Sequence, residues 1–421
     1  MTIESNALGQ LLLARETTFG VDASSDGASL GSYLNLPFVR GTFNGGRDAE
    51  QLNPMTNHAR KDILDKRIAG YKSAAPSFDI VLASHGQIAN GNTAPPDATT
   101  WALGRLLKTI LGHERVETAP GATTTIQAGS TSTSLVLTTG HGSRCSHGTA
   151  IGVVIGGKFH AREVLNRSTD TVTLKVALPS APTAGTVVHC AITYTLAQKS
   201  PDTMQLIYFG KEASRRYTYL GCQGGLTFDL SPGQLFKASV SLMAATWSEL
   251  GNGALPTTVA STSYSPVANR DACFYIGEVG STTLYDIKTT ARDWTLNLSH
   301  TKIESTCGIE GVAGYERTVD GGQPALSGSF GIYRDSAQYD FEAAYEDRTS
   351  LHLAQQIGNG STGAFLLTAP EAQVWIPKDD AGEGLNTQSV AWFGGEDQTQ
   401  AGSPSDLADT AFRLHAFGPT A

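Results

Sequence analysis

Charge is scarce in this sequence: Asp, Glu, Lys and Arg make up 16% of its 421 residues, against roughly 25% in an ordinary globular domain. The surface must then be built from Ser, Thr, Asn, Gln and Gly rather than from ion pairs, which suits a protein covered in an assembly. Thirty Lys and Arg face 39 Asp and Glu, a net charge of −9. A protein that grips nucleic acid by neutralising phosphates is therefore disfavoured, and DNA remains at most a non-specific passenger. Five cysteines, Cys145, Cys190, Cys222, Cys273 and Cys307, are scattered singly, with no Cys-x-x-Cys pair for zinc or thiol exchange. They read as small buried hydrophobes. No apolar run approaches the roughly 18 residues of a membrane helix. The longest near the N-terminus, Leu11-Leu12-Leu13-Ala14, follows an acidic start without the basic region of a signal peptide. The expectation is a protein made in a cytoplasm, with no membrane partner. Aromatic residues are 8% and the acids are dispersed, whereas a glycan-cleaving β protein needs paired carboxylates.

What the chain does have is strict period-two alternation. Phe236, Ala238, Val240, Leu242 and Ala244 alternate with Lys237, Ser239, Ser241 and Met243, the pattern of a half-buried strand. Trp294, Leu296 and Leu298 alternate with Thr295, Asn297 and Ser299, and Leu226, Phe228 and Leu230 with Thr227 and Asp229. One helix stands out, because Leu103, Leu106, Leu107, Ile110 and Leu111 form a single apolar stripe that Gly112 ends. Thr99 and Thr100 offer capping chemistry before it. A second helix is expected from about Ser336 to Glu346, continuing towards Leu353 and Ile357 and ending at Gly358.

Residues 118–196 read as a separate small all-β module, entered through Ala119-Pro120-Gly121-Ala122 and punctuated by Gly156-Gly157, Asn166-Arg167-Ser168 and Pro179-Ser180-Ala181-Pro182. Arg144, Lys158, Arg162, Arg167 and Lys175 against Glu163 and Asp170 make it basic in an acidic chain, as expected of an insertion. Without it an internal repeat emerges. Ser77-Phe78-Asp79-Ile80, a helix at 101–111, a strand near 226–230 and Ser239-Val240-Ser241-Leu242 form the first unit. Ser329-Phe330-Gly331-Ile332, a helix, Val374-Trp375-Ile376 and Ser389-Val390-Ala391-Trp392 form the second.

Catalytic and metal chemistry finds little support. His141, Cys145 and His147 cluster among turn residues with no carboxylate close in sequence, and read as a polar loop tip. Gly152 to Lys158 has P-loop spacing, but Phe159 stands where the magnesium-binding Ser or Thr belongs. Its interior reads as a strand entering a Gly-Gly turn. Asp379, Asp380 and Glu383 lack the alternating ligand pattern of a calcium loop. No catalytic, cofactor-binding or metal residue is expected.

Arg15-Glu16-Thr17-Thr18-Phe19-Gly20-Val21, the polar and basic connection 56–74, Ser77-Phe78-Asp79-Ile80-Val81-Leu82 and the amphipathic helix after them resemble the major tail tube proteins of long, non-contractile-tailed phages. The resemblance covers the chain outside the inserted module and implies a mainly β fold. It would hold two tandem tube-like β-sandwich or barrel domains, each with a flanking helix: 1–117 with 197–250, and 251–421. The inserted small β-barrel-like module would be 118–196. It further implies a structural virion protein without enzymatic activity, synthesised in the bacterial cytoplasm, whose duplicated domain makes three chains per pseudo-sixfold ring. Rings would stack into the channel for DNA ejection, with tape-measure, tail terminator and tail-tip proteins as partners. The mixed-charge loop Arg60, Lys61, Asp62, Asp65, Lys66 and Arg67 would reach the adjacent ring, its charges fixing register. Thr227, Asp229, Ser239, Ser241, Thr295, Asn297 and Ser299 would face the lumen, where a neutral or acidic lining lets DNA slide. The rival reading is a phage-associated adhesin or a glycan-binding or glycan-depolymerising β protein.

Overall fold

The computed structural model describes residues 9–16, 19–22, 33–52, 68–85, 101–116, 124–196, 203–210, 215–230, 234–250, 265–268, 272–287, 289–297, 300–304, 315–320, 325–333, 339–381, 386–395, 397 and 410–420. The fold is mainly β, as expected, and among the described residues eighteen strands share one continuous hydrogen-bonded sheet. Its inner part runs, neighbour by neighbour, from Ser77–Val81 through Lys237–Met243, the second half of Arg215–Asp229, Thr289–Asn297, Ala325–Tyr333 and Asn386–Gly395. It ends on 371–374 and Lys378–Ala381.

Two outer layers fold over the apolar side of this run. In the first, Leu34–Leu36 pairs with Gly9–Arg15, which pairs with Met204–Gly210, then with the first half of Arg215–Asp229 and with Thr246–Leu250. The second repeats that order: Tyr285–Asp286, Cys273–Glu278, Leu351–Gly360, the first half of Gly363–Val374, then Arg413–Phe417. One core fills the space between the layers, drawing Phe78, Phe228, Val240, Phe330, Val390 and Trp392 from the inner sheet.

In both halves one long strand passes from an outer layer into the inner sheet. Arg215–Asp229 turns at Gly221, whose φ of +64° suits only a residue without a Cβ. A Cβ there would lie 2.8 Å from the Cβ of Ala245 and 2.9 Å from the Phe19 ring. The Glu16 carboxylate holds the corner, accepting from the N–H of Gly221 at 2.7 Å and of Gly20 at 3.1 Å, and from the Thr203 hydroxyl at 2.7 Å. Gly363–Val374 makes the same change differently. Ala369 still pairs with Leu353, Glu371 already pairs with Gly395, and Pro370 between them has no N–H to continue the ladder.

The first helix, Ala102–Leu111, packs under the outer layer with every residue but Lys108 buried, and Gly112 closes it in the left-handed region. Trp101 holds the N-cap position without a side-chain cap bond, and Thr99 and Thr100 lie outside the described residues. The second helix is only Phe341–Glu346, capped by Asp340, which accepts from the N–H groups of Glu342 and Ala343. Its expected continuation is instead the strand Leu351–Gly360. That strand is buried on both faces, so its apolar residues show no alternation to separate it from a buried helix.

A five-stranded sheet stands apart, in the order Val188–Cys190, Ala150–Ile155, Lys158–Ser168, Thr171–Leu174 and Ser134–Val136. It has its own core, from Ile126 and Leu135 to Val188 and Cys190. Ile192–Leu196, within the segment expected to be the inserted module, instead pairs with Gly112–Val116 and Arg413–Phe417 in the large sheet.

Candidate functional site

Across-strand partners in an antiparallel sheet project from the same face, so the register of the inner sheet defines transverse rows. One row is Asp79, Ser239, Thr227, Thr295, Ser327 and Phe393. The next is Val81, Lys237, Asp229, Asp293, Ser329 and Ala391. Ser241 lies between Ser77 and Gly225, and Asn297 opposite Ala325. Thr227, Ser239 and Ser241 are exposed while Leu226, Phe228, Ala238, Val240 and Leu242 between them are buried. Six of the seven residues expected on a polar face thus fall into one registered patch, Asp229, Thr295 and Asn297 being placed by backbone alone. Ser299 lies outside the described residues.

The patch is wider than the sequence reading made it. Asp79, Asp293, Ser327 and Ser329 belong to it, and Ser239 donates to Asp79 Oδ1 at 2.7 Å. The alternation Ser327-x-Ser329-x-Gly331 carries the signal, of which the sequence reading takes only Ser329 to Ile332, as a repeat element. Lys237, a cation on this otherwise neutral and acidic face, lies in register opposite Asp229. The charged loop with Arg60, Lys61, Asp62, Asp65, Lys66 and Arg67 lies outside the described residues, and the strands flanking it, Arg47–Leu52 and Ile68–Ala74, pair as a hairpin.

A second polar assembly lies where the small sheet meets the large one. Fully buried Arg413 donates to Glu163 Oε1 at 2.6 Å and to Asp397 Oδ2 at 2.7 Å. Lys175 bridges the same two carboxylates at 3.0 and 2.8 Å. His147 completes it, with Nε2 3.1 Å from Asp397 Oδ2 and Nδ1 2.5 Å from the Leu165 carbonyl. Burial alone would push the Glu163 carboxyl up, but Arg413 and then Lys175 outweigh it and hold it well below the usual carboxylate range. At Asp397 burial is likewise outweighed, by the hydrogen bond from His147 and the charges of Lys175 and Arg413. Nearby His352 is lowered to about 4 by burial. Each ion of this assembly is engaged by its opposites, and together they tie the small sheet to the large one as a latch.

Two expectations change here and one holds. His147 is part of this latch rather than a loop tip, and its carboxylate comes from 250 residues away, beyond any sequence window. Cys145, Cys190 and Cys222 are buried, but Cys273 is exposed, and Cys307 lies outside the described residues. Gly156-Gly157 is the turn between Ala150–Ile155 and Lys158–Ser168, with no helix after it, as the strand reading of the P-loop spacing required. Among the described residues no three His, Cys, Asp or Glu side chains converge to hold a metal, and no helix is long and apolar enough to cross a membrane.

The chain is built on one continuous curled sheet, packed on its apolar side and mostly small and polar on the other. The model of the phage tail tube protein family matches residues 6–407, and the chain belongs to that family. It is a structural component of the phage tail, a virion protein of a self-assembling tube. No curated protein matches the chain.

Proposed function

We propose that this chain is the tail tube subunit of a long, non-contractile phage tail, three copies closing each ring and rings stacking into the channel for DNA ejection. Each chain then supplies two tube domains, 1–117 with 197–250 and 251–421, with an insertion at 118–196 whose last strand, Ile192–Leu196, joins the large sheet. The observation that carries the reading is the polar face of the inner sheet, seven strands wide, whose registered rows are mostly Ser, Thr, Gly and Asp, with Val81, Ala391 and Phe393 towards the margins and Lys237 set against Asp229. Three copies bring about 21 strands, beyond the 16–18 that already leave a water-filled channel in porins. A neutral-to-acidic lining holds no phosphate and lets DNA pass as a non-specific passenger.

The loop of Arg60, Lys61, Asp62, Asp65, Lys66 and Arg67 is assigned to ring stacking. Tape-measure, terminator and tail-tip proteins are the partners that would set length and ends. Negative-stain electron microscopy of the purified protein at rising concentration tests this. Hollow tubes with three chains per axial repeat are expected, and six separate chains per ring would refute the two-domain arrangement. The adhesin reading draws on the cleft of about 460 Å³ lined by Tyr345, Trp375 and Phe393. Glycan binding by a persistently monomeric protein would favour it.

A further inference from the structure

The inner sheet contains one joint between its two halves, and that joint describes another. Within the chain, Leu226, Thr227, Phe228 and Asp229 pair with Leu296, Thr295, Trp294 and Asp293. The halves on either side superpose in register. Ser77, Phe78 and Asp79 lie opposite Ser241, Val240 and Ser239, as Ser329, Phe330 and Gly331 lie opposite Ala391, Val390 and Ser389.

Each side of the joint can be carried over by that correspondence. Gly225 faces Ser241, and Trp375 donates its N–H to the Ala391 carbonyl at 2.7 Å. Thr227 faces Ser239 as Lys378 faces Ser389, and Asp229 faces Lys237 as Asp380 faces Thr387. Trp375–Asp380 therefore occupies in the second half the place of 225–229 in the first, with one extra residue around Ile376 and Pro377. On the other side, Asp293 faces Ser329 as Asn44 faces Ser77. The counterpart of Asp293 is thus Asn44, at the opposite margin of the same inner sheet.

We infer that Trp375–Asp380 of one copy pairs antiparallel with Asn44–Asp48 of the next, with Asp380 opposite Asn44. The partner is a second copy of this chain, and the inference rests on the tube reading above. Exposure supports it independently. Where the inner sheet ends, Trp375 is 56% and Ile376 50% exposed. Large apolar side chains at a sheet margin mark a surface that another strand covers. Among the described residues, Lys378–Ala381 pairs on one side only, with Asn386–Ser389.

Asn44 exchanges both backbone hydrogen bonds with Ser77, each at 2.8 Å, so towards the next copy it is a non-hydrogen-bonded position. Such pairs bring Cα atoms to about 4.5 Å, within disulfide reach. The test is Asn44→Cys with Asp380→Cys in a Cys273→Ser background, assembled into tubes and mildly oxidised. A non-reducing gel should show covalent multimers ending at three chains, and neither single variant should give any. In parallel, amide exchange of the unmodified protein should slow at least about tenfold on assembly at both 44–48 and 375–380. Tubes that form without the crosslink, or with either segment unprotected, overturn the joint and leave the tube reading standing. Unmodified protein that never forms rings overturns both. If the cysteine variant does not assemble, the exchange measurement decides alone.

Discussion

Replacing Arg413 by Met should cost about 3–5 kcal/mol of unfolding free energy at pH 7, the usual effect of removing one partner from a buried ionic group. Arg413 is fully buried, and its guanidinium reaches Glu163 at 2.6 Å and Asp397 at 2.7 Å. Without it two buried carboxylates are left to share Lys175 and His147, and Met fills the volume without restoring the charge. The midpoint of urea unfolding should fall by roughly 1 M or more. The pH dependence separates this mechanism from simple loss of packing. In the native protein both carboxyls are held below their ordinary range, so their stabilisation is present above about pH 4 and is lost as pH falls further. In the variant one carboxyl binds a proton at higher pH, so the difference from the native protein should shrink between pH 7 and pH 5. A loss under about 1 kcal/mol, or a loss constant across that range, would refute the reasoning.

The buried imidazoles His85, His189 and His352 are each lowered to about 4 by burial. The unfolded chain binds more protons than the native one between pH 6.5 and 4, so stability falls there by up to about 2 kcal/mol per histidine at pH 5; an unfolding midpoint no lower at pH 5 than at pH 7 contradicts this. Gly221→Ala should cost about 2–4 kcal/mol, from its left-handed backbone and the contact with Ala245, and a Tm unchanged within error would show that the corner relaxes freely. Charge reversal at Lys66 and Arg67 should stop tube growth and leave Tm unmoved, and normal tubes would remove the loop from ring stacking. Thr227→Lys with Ser239→Lys should permit tubes but slow DNA ejection from reconstituted particles, and ejection at the native rate would show that these side chains do not line the path.

The inner sheet was legible because only one of its faces is buried. Ser239 and Ser241 between Val240 and Leu242 announce both a strand and its orientation, and the Ser-Phe and Ser-Val segments of the two halves are paired in one register. Where both faces are covered the signal fails. Leu351–Gly360 carries buried Gln355 and Gln356 among its apolar residues, Gln356 exchanging hydrogen bonds with Phe159 and Ala161 of the small sheet. A helix was the wrong inference from that composition. The ionic latch was invisible for another reason: Glu163 and Arg413 are 250 residues apart, and each alone looks like a surface charge. Residues that face water carry their own pattern in sequence, whereas residues that satisfy one another across the fold do not.

The small sheet is spliced into the first half of the chain but seated on the second. Tyr275, Gln356, Asp397 and Arg413, which hold it, all follow it in sequence. A ribosome therefore delivers the sheet some two hundred residues before the latch that receives it. Its own core lets it collapse at once, and Lys175 already neutralises Glu163 at 3.0 Å from within the same sheet. During synthesis it can stand as a preformed unit with its ions balanced, and docking waits for Asp397 and Arg413 to emerge. The order of translation thus separates folding of the small sheet from its attachment, and the last fifth of the chain decides when the subunit becomes one body.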